Sequence, residues 1–316
     1  MRRFHSGANA IEIEKNGRSK KEFTPLKEKL KKAFAPVVAY YRDLRPRNIT
    51  SKKYNHLLLL LFWAVFGFMF LAVERLFPVW FPTRYGIDAY YSVVCAADAY
   101  IPFHESFVIP YYYWFAFLAV PAFYFGLWEP RAFRDFQWGI ILTYTAAMVI
   151  YIIWPTKQDL RPEVFPRDNL LTTIAKNLYD FDTNTNVCPS IHVLGSLAVM
   201  FAGLHSRTLR GWGWKLVFIL STVWISMSTV FLKQHSLLDV IAAFGVGLVC
   251  YAIQFRLYPV LERRWLARRA KKDGMERAAV SEAPAAVITA EAAAIETSAA
   301  EPESDAPRSD GKSEGD

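Results

Sequence analysis

The chain has 316 residues, of which 53% are hydrophobic, 16% aromatic and 21% charged. That balance excludes disorder over the whole length and a collagen-like class, and three cysteines are too few for a disulfide framework or a multi-cysteine metal site. The formal net charge is +8, but residues 273–316 hold 11 acidic and three basic groups, which leaves 34 basic against 18 acidic in the remainder. The apolar residues lie in long blocks separated by short basic segments, so the basic excess is a membrane-protein pattern rather than a nucleic-acid footprint.

In chain order, residues 1–54 form a basic N-terminal segment with no apolar signal region before residue 56. Within it Phe23, Leu26, Leu30, Phe34 and Val37 recur at helical spacing among lysines. Either a helix on an anionic membrane surface or a solvated basic tail fits that pattern. Six apolar blocks follow, at 57–73, 108–127, 136–154, 190–204, 214–232 and 236–255. A bilayer core about 30 Å thick needs about 20 apolar residues in a helix, with about 17 as the lower limit. Five blocks meet it; the fourth is shorter and contains His192. Six blocks in succession, none with a polar face, predict an all-α integral membrane six-helix bundle over residues 55–256. Residues 257–316 are expected to be a basic juxtamembrane segment and then, from Asp273, a disordered acidic tail.

Orientation follows from the Lys/Arg bias. The N-terminal flank, the segments between spans two and three and between four and five, and the C-terminal flank together hold 17 basic residues, against seven on the opposite side. Both termini are therefore expected in the cytoplasm, and the loops after spans one, three and five outside. The first outer loop, 74–107, is rich in aromatics, including Trp80, Phe81, Tyr90, Tyr91 and Tyr100. Interfacial anchoring accounts for them, with gating of lipid entry as the alternative. Cys95 and Cys188 fall on this outer side; nothing in the sequence fixes their separation, so two separate thiols are expected.

Three polar segments interrupt the apolar pattern, all on the outer side: Lys157-Gln-Asp-Leu-Arg161-Pro162, Cys188-Pro189-Ser190-Ile191-His192, and Lys233-Gln234-His235-Ser236-Leu237-Leu238-Asp239. Ionisable residues at a membrane edge are costly and are functional candidates by default. Lys157 and Arg161 sit where positive-inside bias depletes cations, which points to anion binding over simple anchoring; arginine offers phosphate a planar fork of donors and lysine a point charge. Ser190 is a plausible N-cap, and the free N–H groups of the first turn after it, those of Ile191 and His192, would favour a phosphate. His235 and Asp239 are four apart, on one helix face, where a carboxylate fixes the tautomer of an imidazole and leaves its other nitrogen free. His192, His235 and Asp239 would also make a three-ligand metal set, but the neighbouring cations Lys157, Arg161 and Lys233 disfavour one, so neither metal nor cofactor is expected.

The order Lys…Arg-Pro, Pro-Ser-x-His, His-x-x-x-Asp resembles the type 2 phosphatidic acid phosphatase superfamily, which includes lipid phosphate phosphatases and has relatives such as inositol phosphorylceramide synthase. The resemblance spans about residues 55–255. It implies that His235 attacks phosphorus to give a phosphohistidine, that Asp239 orients it, and that His192 protonates the leaving lipid alkoxide. Lys157, Arg161 and Ser190 then match the phosphate ligands, with an N–H of Ile191. There are departures. Three residues separate Lys157 from Arg161, fewer than usual; Ile191 stands in the place of a glycine; and Thr229 stands where an arginine is expected, with Lys233 as its replacement.

The expectation is thus a multi-pass protein of the plasma (inner) membrane with an outward-facing site that hydrolyses a lipid phosphate monoester or diphosphate without metal. The alternative transfers a phospho-headgroup to another lipid hydroxyl. A transporter would place its polar residues at mid-membrane rather than at span ends, and an inactive lipid-binding protein is the remaining reading. The expected partners are a membrane lipid phosphate and the bilayer, with no nucleic acid; the sequence names no protein partner.

Overall fold

The computed structural model describes residues 26–271 and 273. Phe23 of the N-terminal pattern and residues 274–316 of the acidic tail lie outside the described residues. The architecture is helical, with one two-stranded ribbon. Helix α1 is Leu26–Tyr41, and the later helices are α2 (Asn55–Trp80), α3 (Glu105–Trp128), α4 (Pro130–Ile153), α5 (Leu170–Phe181), α6 (Ile191–His205), α7 (Trp212–Phe231) and α8 (Leu237–Lys271).

Five of these, α2, α3, α4, α7 and α8, are long and apolar enough to cross a membrane. Their outward surfaces are apolar, with Leu61, Phe68, Val120, Phe123, Leu220 and Val249 all exposed. A surface of that kind suits lipid rather than water. The block with the histidine forms α6, which at 15 residues is about 22 Å long and shorter than a bilayer core. It lies inside the bundle, against α3, α4, α7 and α8. Every residue from His192 to Val199 on it is buried, so its N-terminal half is sheltered inside the bundle. Close packing around α6 depends on Gly195: a Cβ there would stand 2.5 Å from the Tyr144 hydroxyl and 3.3 Å from Trp114 Nε1.

Helix α1 carries Leu30, Phe34 and Val37 of the N-terminal pattern. Its Phe34 ring sits 4.8 Å from that of Trp128, and the Trp128 indole donates to the Ala33 carbonyl at 3.1 Å. The Tyr41 hydroxyl donates to Gly126 O, which fastens α1 to the end of α3.

At the other end of the bundle the first long loop folds back under the second. Strand β1 (Tyr91–Ser92) pairs in parallel with β2 (Thr156–Lys157), Tyr91 opposite Thr156 and Ser92 opposite Lys157. Helix α5 was not foreseen. Asn169 caps it, its side chain accepting from Thr172 N at 3.0 Å, and Leu171, Ile174, Ala175 and Leu178 face a small apolar cluster with Phe103 and Tyr111. Helix α2 carries a π-helical turn at Ala72–Leu76, centred on Glu74.

Candidate active site

The turn between α7 and α8 builds the first half of the site. Lys233 has φ 54°, a left-handed backbone that a lysine adopts only when its surroundings enforce it. With the chain turned there, Gln234 N and His235 N both donate to Thr229 O at 3.0 Å. Ser236 then caps α8, its hydroxyl accepting from Leu238 N at 3.2 Å, while Asp239 Oδ2 accepts from Ser236 N at 2.9 Å. The same Oδ2 lies 3.2 Å from His235 Nδ1. One carboxylate thus completes the helix cap and fixes the imidazole, leaving His235 Nε2 as the free ring nitrogen.

The second half sits at the start of α6. Ser190 N donates to Asp239 O at 3.2 Å, joining the two helix starts, and the Tyr151 hydroxyl donates to Pro189 O at 2.6 Å. The His192 ring centroid is 5.7 Å from that of His235, nearly edge to face. Tyr111 and Trp114 flank it at 4.5 and 4.4 Å, and its Nδ1 has no partner. Ser190 holds the N-cap position but makes no side-chain cap bond; its hydroxyl is fully buried and unpaired. With the free N–H groups of Ile191 and His192 beside it, this is an unsatisfied donor set of the kind an anion fills.

The first motif reaches the same turn through Gln158, which sequence reasoning passed over. Its Nε2 donates to Lys233 O at 3.0 Å, and Leu160 N donates to its Oε1 at 2.7 Å. Lys157 is partly exposed, with Nζ 3.9 Å from Asp159 Oδ2. Arg161 is more committed than expected. Its two terminal nitrogens donate to the carbonyls of Tyr179, Asp182 and Thr183 and to Gln234 Oε1 at 2.6 Å, leaving Nε–H as the unpaired donor. Burial lowers its pKa, with the Asp182 carboxylate opposing. Thr229 is buried, its hydroxyl bonded to Ser226 O at 2.8 Å. Lys233 turns its ammonium to Asp98 O at 2.8 Å; burial pushes its pKa down and Asp98 pushes back.

Four further residues complete the surroundings. Asp98 in the first loop is 1% exposed and accepts from Ser236 Oγ at 2.6 Å, Leu237 N at 2.8 Å and Cys95 N at 2.9 Å. Burial alone would raise its pKa, but these bonds outweigh it and hold the carboxyl below the usual range. Glu74 on α2 accepts from Thr183, Thr185 and Asn186 at 2.5, 2.9 and 2.7 Å and so anchors the segment ahead of the second motif. Asp182 and Tyr111 meet beside the histidines, the Tyr111 hydroxyl donating to Asp182 Oδ2 at 3.3 Å. Cys95, Cys188 and Cys250 are free; burial, then Asp239, pushes the Cys188 thiol up to about 12.

Fold and site together define a class: a helical protein with five helices long and apolar enough to cross a membrane, whose three polar motifs converge at one end of the bundle around an oriented histidine and a second histidine. Residues 137–263 match the family model described as the PAP2 superfamily. That match, from within α4 to within α8, is consistent with a member of the type 2 phosphatidic acid phosphatase superfamily, whose general activity is of the phosphatase or phosphotransferase type. No curated protein and no solved structure matches the chain significantly.

Proposed function

We propose that the protein is a metal-independent membrane lipid phosphate phosphatase that hydrolyses a phosphate monoester or diphosphate through a phosphohistidine. The observation that carries this reading is the His235–Asp239 contact at 3.2 Å with the His192 ring 5.7 Å away. His235 Nε2 attacks phosphorus; the bond from phosphorus to the lipid oxygen breaks, and that oxygen takes a proton from His192. Water then attacks the phosphohistidine, returning a proton to His192 as the P–N bond breaks and inorganic phosphate leaves. Lys157, the Nε–H of Arg161, Ser190, the N–H of Ile191, and Lys233 stabilise the equatorial oxygens. In this reading α6 is the sixth span, both termini are cytoplasmic and the site faces outward from the plasma (inner) membrane.

A second reading, transfer of a phospho-headgroup to a lipid hydroxyl in place of water, is favoured by one observation. Thr229 supplies no cation at a position where a phosphatase of this kind uses one. The test of the first reading is purified protein on lipid phosphates. His235→Ala is expected to abolish phosphate release, and wild-type enzyme quenched during turnover to carry acid-labile phosphate label. Full turnover in the alanine variant would refute it.

A further inference from the structure

The cations of this site are matched by carboxylates. Lys157 has Asp159 and His235 has Asp239 at 3.9 and 3.2 Å, while Lys233 donates to the main-chain oxygen of Asp98 and feels its carboxylate electrostatically. Arg161 and His235 share a third partner that none of the motifs contains, Asp182, with which both interact electrostatically. Asp182 closes α5: its N–H donates to Leu178 O at 2.9 Å and its carbonyl receives Arg161 Nη1 at 3.0 Å. Its side chain is fixed by Tyr111, whose ring in turn packs against His192. The carboxylate therefore sits on the Tyr111 hydroxyl, whose ring packs on His192, and within electrostatic range of His235. The groups facing it are Tyr111 from α3, Arg161 from the segment after β2 and His235 from the turn ahead of α8, with Asp180 the next acid along the chain.

We propose that Asp182 is a specificity-determining residue that limits the negative charge accepted at phosphorus, favouring a singly charged phosphodiester over a doubly charged monoester. The inference rests on the phosphohistidine chemistry above and, because the monoester carries the second charge, favours the second reading, in which a phosphodiester donates its headgroup. At neutral pH a phosphate monoester carries close to two negative charges, its second pKa being about 6, and a diester carries one. The second charge meets Asp182 in a pocket that salt screens weakly. Asparagine at 182 would keep an oxygen for the Tyr111 hydroxyl and remove only the charge.

The test compares phosphatidic acid with phosphatidylmethanol, its methyl diester, which differ by one ionisable oxygen. Affinities for fluorescent forms of both are measured on full-length protein in mixed micelles, in a His235→Ala background that blocks turnover. Adding Asp182→Asn is expected to tighten phosphatidic acid relative to phosphatidylmethanol by about tenfold, or about 1.4 kcal/mol. Asp182→Glu is expected to keep the parent ratio. Asp182→Ser, which removes the charge with a different shape, should shift the ratio in the same direction as asparagine and serves if the asparagine variant does not fold. A ratio within about threefold of the parent in the uncharged variants, or an equal shift in the glutamate variant, overturns the role of Asp182. Turnover persisting in the His235→Ala background would instead overturn the phosphohistidine reading itself.

Discussion

Asp98 lies in the first long loop, far in sequence from every motif, yet it caps the helix that carries Asp239 and receives the hydroxyl next to His235. Truncation to alanine would leave three donors without their acceptor: Ser236 Oγ, Leu237 N and Cys95 N. A hydrogen bond to a charged group contributes about 1.5–3 kcal/mol, and because the three share one carboxylate they do not add in full, so Asp98→Ala is expected to cost about 3–4 kcal/mol. For a bundle of this size that lowers the unfolding temperature by roughly 6–16 °C. The Lys233 contact is to the main-chain oxygen of Asp98 and survives the change. The catalytic loss is therefore assigned to a loosened start of α8, with kcat down at least about tenfold for a misplacement of His235 by a fraction of an ångström. Asp98→Asn keeps an acceptor and should lose about half as much stability. The assay is thermal unfolding in detergent beside initial rates on a lipid phosphate. An alanine variant with the parent unfolding temperature and kcat would refute the reasoning.

Two more expectations concern the fold. Glu129 accepts from Ser206 Oγ, Arg207 N and Thr208; burial would raise its pKa, but these bonds outweigh it and hold the carboxyl below the usual range. Its stabilisation is therefore present above the unfolded value, about 4.3, and is lost as pH falls through the lower folded value. The unfolding temperature should hold from pH 7 to about pH 5 and fall below about pH 4, and Glu129→Gln should flatten that acid limb; an unchanged limb in the variant would exclude this role. Gly195→Ala places a methyl 2.5 Å from the Tyr144 hydroxyl inside a filled core and should destabilise by about 1–3 kcal/mol, read by the same unfolding measurement. A variant as stable as the parent would mean that Tyr144 can move aside.

What the sequence made legible is local. The five long apolar blocks correspond to the five long helices, because length and hydropathy are properties of contiguous residues. The i, i+4 relation of His235 and Asp239 is likewise local, and the structure brings the two into contact, but across the helix cap rather than on one helix face, because α8 starts only at Leu237. Helix α5 carried a readable signal, Asn169 ahead of Leu171, Ile174, Ala175 and Leu178, but it sits in a connection where no membrane span was being sought. The partners that finish the site were not legible at all. Asp98 meets Ser236 across 138 residues and Glu74 meets Thr183 across 109, and no periodicity or propensity encodes such pairings. Arg161 shows the same limit from the other side. A free arginine beside a proline promises an open fork, but the carbonyls at the end of α5 take up most of its donors, and only the folded chain reveals that.

The anchoring of residues 183–186 by Glu74 has a consequence for how the protein is made. Glu74 lies on the first apolar helix, and its partners are synthesised 109 or more residues later. At about 5–20 residues per second, translation leaves that carboxylate at the membrane edge without its partners for about 5–20 s. The interval is long beside helix formation, so α2 enters the bilayer as an incomplete element and is finished only when the segment before α6 arrives. Asp98 waits longer still for Ser236. Both acids lie ahead of residue 137, where the superfamily match begins, so the stretch recognisable as a domain is not the unit that can assemble. A fragment starting there would emerge with the cap of the helix that holds Asp239 lacking its Asp98 contacts and the segment ahead of His192 untethered.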